Sequence, residues 1–390
     1  MLDKVEISKK LIDFESRFGR SGKIDVCFAP GRVNLIGEHT DYNGGLVLPF
    51  AIQQGTYMLV RPSVLPPARL YSDQLGLEAR IMTPDVTKKN DWADYVRGVY
   101  LYAGETVCGE IPPFDAMYFG DLPLDSGLSS SASLEMATVL GLGSLGCRLS
   151  KEEAVKVCRR AENDFVGVAC GVMDQFAVAF ARERNVILLD CDTLEYRQIP
   201  YNLKDTVLVV GHTGVRRSLT DSEYNERRRE CAEALSLLSA RVGPRKNLSR
   251  LTIKEFEEAR WSIPDTLALR AQHVIYENVR VEEAARCLET GDPETLGYLL
   301  NRSHESLRDL FEVSSFELDT LQEISAAQPG VWGCRMTGAG FGGCVISLIK
   351  KDALERYLGR VPGLYWQSTH CDAGFVVTTP GEGAMEVEVL

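Results

Sequence analysis

The sequence predicts an α+β protein, mixed in its α/β order and built as two domains, and three observations carry that reading. The chain has 390 residues, 45% hydrophobic and 25% charged, enough to bury a large core and more than one domain usually holds. Short apolar runs bounded by Gly and Pro alternate with amphipathic stretches up to about residue 203. Helical patterns dominate from Asp221 to Ala327, so the chain is divided into 1–203 and 204–390.

Taken in order, Val5, Ile7, Leu11, Ile12, Phe14 and Phe18 recur among charges at mostly helical spacing, a surface helix ended by Gly19. A strand is expected over Ile24–Ala29. It runs into Pro30-Gly-Arg-Val-Asn-Leu-Ile-Gly-Glu-His-Thr-Asp-Tyr-Asn-Gly-Gly45, too rich in charge and glycine for a core and therefore a site loop. Separate strands are expected at Leu46–Ile52, Thr56–Arg61 and Ala68–Tyr71, then a helix over Asp91–Glu105 with Trp92, Tyr95, Val96 and Val99 on one face. The run Phe114–Phe119 is a strand, Pro123 and Gly127 break the backbone, and helices at 129–145 and 151–164 should sandwich the sheet. Strands at Val186–Asp190 and Val207–Gly211 bracket the division. Near the end come a strand at Val345–Ile349, a helix from Asp352 and a strand at Gly374–Thr378.

The stretch Gly120–Ala137 organises the chemistry. Strand, serine-rich loop and helix start place hydroxyls and free amides where the helix dipole favours an anion, and the expected guest is a phosphate. Because the formal charge is -12, that guest needs a local cation, and Arg32 supplies one. Glu38, His39, Asp41 and Asn43 form the inventory that grips a polyol by hydrogen bonds; His39 without a nearby His or Cys partner is a thin metal site. Asp174 stands alone as the acid in the glycine-broken run Gly167–Phe176. Gly338-Ala-Gly-Phe-Gly-Gly343 matches G-x-G-x-x-G by letter but leads into a strand, not a helix, so a dinucleotide fold is rejected in favour of a backbone closing over the site. No P-loop or protein-kinase motif occurs.

Three segments resemble a known family in order and spacing. Pro30–Gly45 is very similar to the galactokinase signature, Pro123–Ala132 to the second motif of the GHMP small-molecule kinases, and Thr337–Cys344 to their third. Cys170-Gly-Val-Met-Asp-Gln175 and Ser222-Glu-Tyr224 extend the likeness over nearly the whole chain. The resemblance implies an N-terminal ribosomal-protein-S5-like domain and a C-terminal ferredoxin-like domain with added helices, the cleft between them holding galactose and ATP. It implies Arg32 and Asp174 as the catalytic pair, with Arg32, Glu38, His39, Asp41, Gly171, Asp174 and Tyr224 around the sugar. Trp92 and Tyr95 would flank adenine; Gly127, Leu128, Ser129, Ser130, Ser131, Ala132 and Ser133 would wrap the triphosphate; Ser131 and Glu162 would hold Mg2+, with Ser130 the alternative in register. The implied reaction is phosphorylation of the anomeric hydroxyl of galactose.

Two rivals follow from the same resemblance, a kinase for N-acetylgalactosamine, arabinose or a uronic acid, and a non-catalytic galactose and ATP sensor. Intact Ser131-Ala132 argues against the sensor, and Thr40, Asn43 and Gly44 against the acetylated sugar. One departure is Asp125-Ser126-Gly127, where the family has Gly-x-Gly; Asp125 is expected to face solvent or an added cation. The acidic balance, with pI near 5.1, argues against nucleic acid. Eleven scattered cysteines with no C-x-x-C fit a reducing cytoplasm. No apolar run is long enough for a membrane span, and the oligomeric state is left open, a monomer being compatible.

Overall fold

The computed structural model describes residues 2–388 apart from 65, 84, 108, 110, 124–126, 169 and 216–219, with backbone only at 220–222. Asp125 therefore lies outside the described residues, as does the side chain of Ser222. Helix α1 (Lys4–Phe18) begins with a capping box in which Asp3 and Glu6 satisfy each other's backbone N–H, and Gly19 ends it at φ 91°. Strand β1 (Asp25–Asn34) runs past the expected end at Ala29, so Pro30–Asn34 is strand and the loop proper starts at Leu35. A register shift between Pro30 and Arg32 accommodates the proline and turns the chain locally.

After β2 (Leu46–Val47), β3 (Pro49–Pro62) is a single strand where two were expected. The polar Gln53-Gln54-Gly55 reads as a break, but Gly55 stays in register opposite Pro30. β4 (Ala68–Ser72) and β5 (Leu77–Ile81) form a hairpin, of which the second strand was not anticipated. Helix α2 (Asp94–Val107) leads to β6 (Phe114–Gly120), and α3 (Ser130–Ser144) and α4 (Lys151–Arg160) follow, α4 with its own capping box from Ser150 and Glu153. The expected helix end at 164 is a π-helical turn, Ala161–Val166. Then come α5 (Met173–Phe180), β7 (Asn185–Asp190) and β8 (Tyr196–Pro200).

The second half opens with β9 (Thr206–His212) and the helices α6 (Thr220–Val242), α7 (Ile253–Ala259), α8 (Asp265–Thr290), α9 (Pro293–Ser306) and α10 (Phe316–Ala326). β10 (Val331–Thr337) and β11 (Cys344–Lys350) are antiparallel neighbours joined by the glycine-rich segment, and α11 (Leu354–Thr369), β12 (Gly374–Thr378) and β13 (Met385–Glu386) complete the chain. The strands form three sheets, ordered β13-β1-β3-β6-β4-β5, β10-β11-β9-β12 and β2-β7-β8. β13 thus returns to the sheet built before residue 203.

Alternation assigns the faces of the six-stranded sheet. Cys27, Ala29, Met58, Val60, Ala116 and Tyr118 point into one core with the residues of α2 to α5. Val26, Phe28, Tyr57, Leu59, Met117 and Phe119 point the other way, onto Ile7 and Phe14 of α1. So α3 and α4 do not sandwich the sheet; α1 covers its second face. A third core joins Val33, Leu35, Phe50 and Leu128 of the first half to Val281, Leu296, Leu300 and Ile346 of the second, and the motif loops lie along this seam. Because Phe14 is fully buried between α1 and the second face of the six-stranded sheet, Phe14→Ala is expected to cost ~3–5 kcal/mol in urea unfolding; a loss under ~1 kcal/mol would show that α1 does not complete the core.

Candidate active site

The register shift, where Ile52–Gln54 of β3 oppose the single Gly31 of β1, lies beside Arg32, which faces the seam. Gly31 permits it, since a Cβ there would lie 2.8 Å from the Leu128 carbonyl, and the Arg32 amide donates to that same carbonyl at 3.1 Å. The serine loop is thereby fastened to the strand. Arg32 then reaches Asp174, in the first turn of α5, with Nε to Oδ1 and Nη2 to Oδ2 both 2.7 Å, a planar fork on a carboxylate. Its third nitrogen donates to the Gly127 carbonyl at 2.8 Å, and the Ser129 hydroxyl donates to Asp174 Oδ2 at 2.5 Å.

Ser129 sits at φ 58° immediately before α3. The first amides of a helix have no partner within it, so those at Ser130, Ser131 and Ala132 form, with the hydroxyls, an anion-binding terminus. Ser131 donates to Glu162 Oε1 at 3.0 Å, and Gln175 Nε2 donates to Glu162 Oε2 at 2.6 Å. Burial first, then the charge of Asp174, pushes the Glu162 carboxyl up. A carboxylate raised in this way beside a hydroxyl oxygen is the hard-oxygen donor set that a divalent cation would relieve. Among the described residues no cluster of three His, Cys, Asp or Glu side chains exists to hold a metal without a ligand's help.

The polyol loop closes the other wall. Glu38 accepts from Arg335 Nη2 at 2.5 Å, Asn34 Nδ2 at 2.7 Å, Thr337 Oγ1 at 2.9 Å and the Gly338 amide at 2.8 Å. That fills about the four acceptor positions of a carboxylate. His39, at φ 61°, has Nε2 3.1 Å from the Ala339 carbonyl and Nδ1 2.8 Å from the Tyr42 hydroxyl. A carbonyl only accepts, so Nε2 carries the proton and Nδ1 accepts from Tyr42. Burial pushes the imidazole down to about 3, and it is neutral. Asp41 differs: burial, with Asp174 and Glu38 nearby, pushes it up to about 6 against a single backbone hydrogen bond at Tyr42. A Cβ on Gly171 would fall 2.1 Å from Asp41 Oδ2, so only glycine allows this approach.

One cavity of about 300 Å³ gathers most of the expected residues: Arg32, Glu38, His39, Asp41, Gly171, Asp174 and Tyr224 with Gly127, Ser129, Ser130 and Ser131. Leu128 and Ala132 bury their side chains in the core, and the buried Ser133 donates to the Ala29 carbonyl at 2.7 Å, tying α3 to β1. Glu162 stands behind Ser131, outside the lining. Trp92 packs edge-on against Tyr118, 5.7 Å between centroids, and with Tyr95 at the start of α2 it too lies outside the cavity. Gly338 and Ala339 of the glycine-rich segment also line the cavity, with Val168, Cys170 and Met173. The grip of Arg335 on Glu38 was not anticipated; the one available signal was a lone arginine in an otherwise apolar strand.

Residues 12–62 match the galactokinase galactose-binding signature, 94–182 the GHMP kinases N terminal domain and 284–362 the GHMP kinases C terminal model. The galactokinase of Fusobacterium nucleatum is 42% identical over 383 residues, covering 96% of this chain and 98% of that one. That of Clostridium acetobutylicum is 42% identical over 369 residues, 93% and 95% of the two chains. The crystal structure of Lactococcus lactis galactokinase complexed with galactose matches with a TM-score of 0.93 at 39% identity, over 98% of this chain and all (100%) of the other. Methanococcus jannaschii mevalonate kinase, with a TM-score of 0.68 at 18% identity over 92% and 98% of the chains, shares the fold.

The raised Asp41 carboxyl has a sign that can be checked in the free protein. Unfolded, it titrates near 3.8; folded, at about 6, so the folded state binds more protons between those values. Its favourable contribution is complete below 3.8 and lost as pH rises through about 6. Asp41→Asn is therefore expected to stabilise the free protein at pH 7 by on the order of 1–3 kcal/mol, the gain fading toward pH 4. Equal stability of the two proteins at pH 7 would contradict the assignment.

Proposed function

The chain belongs to the galactokinase family of GHMP kinases, and on that footing we propose that it transfers the γ-phosphoryl group of ATP to the anomeric hydroxyl of α-D-galactose, giving galactose 1-phosphate and ADP. The observation that carries this reading is the Arg32–Asp174 fork, which stands in one cavity between the polyol loop and the serine-capped start of α3. Phosphoryl transfer asks a protein chiefly for alignment and charge neutralisation. Here Asp174 faces the acceptor hydroxyl and takes its proton or orients it. Arg32 holds Asp174 and offsets negative charge growing on the transferring group. The amides and hydroxyls of residues 129–131 receive the phosphates.

Asp41 and Tyr224 grip the sugar hydroxyls, with Glu38 and His39 presenting a wall already fixed by Arg335, Ala339 and Tyr42. Gly171 gives Asp41 its room. Trp92 and Tyr95 are assigned to the adenine. Mg2+ bound at Ser131 and Glu162 would supply charge neutralisation of the phosphates; the oxygen donors there suit it. Three carboxylates around one cavity favour a neutral polyol over a uronic acid, whose own charge would be repelled. The ten described cysteines are unpaired, which supports a reducing compartment such as the cytoplasm. Among the described residues no helix is long and apolar enough to cross a membrane.

An ADP-release assay across a panel of monosaccharides tests the substrate. Galactose is expected to exceed glucose by ~10⁴ in kcat/KM, because a site built to bind the C4 hydroxyl leaves buried groups unpaired when it is misplaced. Comparable efficiency on both sugars would refute the reading. For the mechanism, Asp174→Asn keeps a hydrogen bond to the hydroxyl but cannot take its proton. Turnover should fall by at least ~10² with galactose binding retained by calorimetry; near-normal turnover would remove the base role.

A further inference from the structure

The polyol loop is gripped from behind by a helix that never reaches the cavity. Glu277, buried on α8, accepts the Gly37 amide on Oε1 at 3.1 Å, and the Ser303 hydroxyl of α9 donates to the same oxygen. Its Oε2 accepts from Arg280 Nε at 2.6 Å. One turn earlier on the same face, His273 has Nε2 3.1 Å from the Glu38 carbonyl and Nδ1 2.9 Å from Ser306 Oγ. The carbonyl fixes the tautomer: Nε2–H donates to Glu38, and Nδ1 accepts from Ser306. The two peptide units that flank the Gly37–Glu38 bond, through the Gly37 N–H and the Glu38 carbonyl, are thus bonded to α8.

These are the units on which the loop turns. Gly37 has φ 103°, and a Cβ there would lie 2.7 Å from the Leu46 carbonyl and 2.9 Å from Val281, so the chain has no slack at this point. The ionisation states are fixed as well. Burial would raise the Glu277 carboxyl, but the neighbouring donors and positive charges, Arg280 foremost, outweigh it and hold it at about 2, while burial keeps His273 down at about 4. The grip is therefore constant through neutral pH.

We propose that Glu277 and His273 are positioning residues for the sugar: by holding the Gly37 amide and the Glu38 carbonyl, they set where Glu38, His39 and Asp41 stand, without touching substrate. The sugar itself rests on the reading of the previous section, and the grip on the loop does not. A purely structural role for Glu277 would loosen the whole protein; a positioning role loosens residues 34–46 and weakens one substrate.

The test compares Glu277→Ala, Glu277→Gln and Ser306→Ala with the parent enzyme by hydrogen exchange and by kinetics. In Glu277→Ala, exchange across 34–46 should accelerate by ~10-fold or more while the amides of β1 before Asn34, of β3 and of β6 are unchanged. The galactose KM should rise by ~10-fold or more, since a buried amide has lost its acceptor, with the ATP KM within ~2-fold and kcat within ~3-fold. Glu277→Gln, whose amide oxygen can still accept from Gly37 while its NH2 faces Arg280 Nε, should recover part of both. Ser306→Ala, a milder change that frees the His273 ring and serves if Glu277→Ala does not fold, should raise the galactose KM alone by ~3-fold. Unchanged exchange at 34–46, equal loosening of the sheet, or parallel rises in both KM values would overturn the proposal. If exchange responds as expected but galactose is no substrate of the parent enzyme, the substrate assignment fails and the grip on the loop stands.

Discussion

Three carboxylates share one small cavity, and the arrangement around it follows from keeping them there. Glu38 is held by Arg335 and three further donors, and Asp174 by the fork of Arg32 and the Ser129 hydroxyl. Among the described residues Asp41 accepts one backbone hydrogen bond, at Tyr42, and burial with Asp174 and Glu38 pushes it up to about 6 against that bond and the charge of Arg228. A site with two acids satisfied and one under-satisfied is arranged to receive hydrogen-bond donors, and sugar hydroxyls are donors. On the proposed reading the acceptor hydroxyl would stand at Asp174 and the phosphates at the start of α3, where the first amides of the helix have no partner within it.

Neither half of the chain makes this site alone. The polyol loop is continuous with β1, yet its backbone and side chains are bonded to β10 through Arg335 and Thr337, to α8 through Glu277 and His273, and to the glycine-rich turn through Ala339. Arg335 is 0% exposed and Glu38 2%, so their ion pair crosses the seam out of reach of solvent. Breaking one partner of such a pair leaves a buried charge uncompensated, which costs far more than the intact pair gains. Seam geometry and substrate geometry are thus the same constraint.

Much of this was legible in the sequence. The strand, serine loop and helix around Gly127–Ser131, the polyol inventory at 38–43, and Asp174 alone in an apolar run all carry local signals, and the resemblance gave them an order. The misreadings have physical causes. Polar Gln53-Gln54-Gly55 looks like a break, and the register with β1 does shift there, yet pairing resumes at Gly55 opposite Pro30 and the strand β3 runs on through it. α1 reads as a surface helix, although one narrow stripe, Ile7 and Phe14, closes a whole sheet face. Arg335 and Glu277 act on partners 297 and 240 residues away; a lone arginine in an apolar strand marks the first without naming its partner, and nothing local in a long helix marks the second.

The charge arrangement has a direct thermodynamic signature. If Asp41 is partly protonated in the free protein near pH 6 and a sugar hydroxyl donates to its carboxylate, galactose binding must release protons. Calorimetric titration with galactose at pH 6, in buffers of different ionisation enthalpy, is the measurement. The expected result is release of roughly half a proton per sugar at pH 6, falling to none by pH 8 and absent in Asp41→Asn. Binding heats independent of the buffer at pH 6, with galactose bound, would contradict the view that an under-satisfied Asp41 receives the sugar.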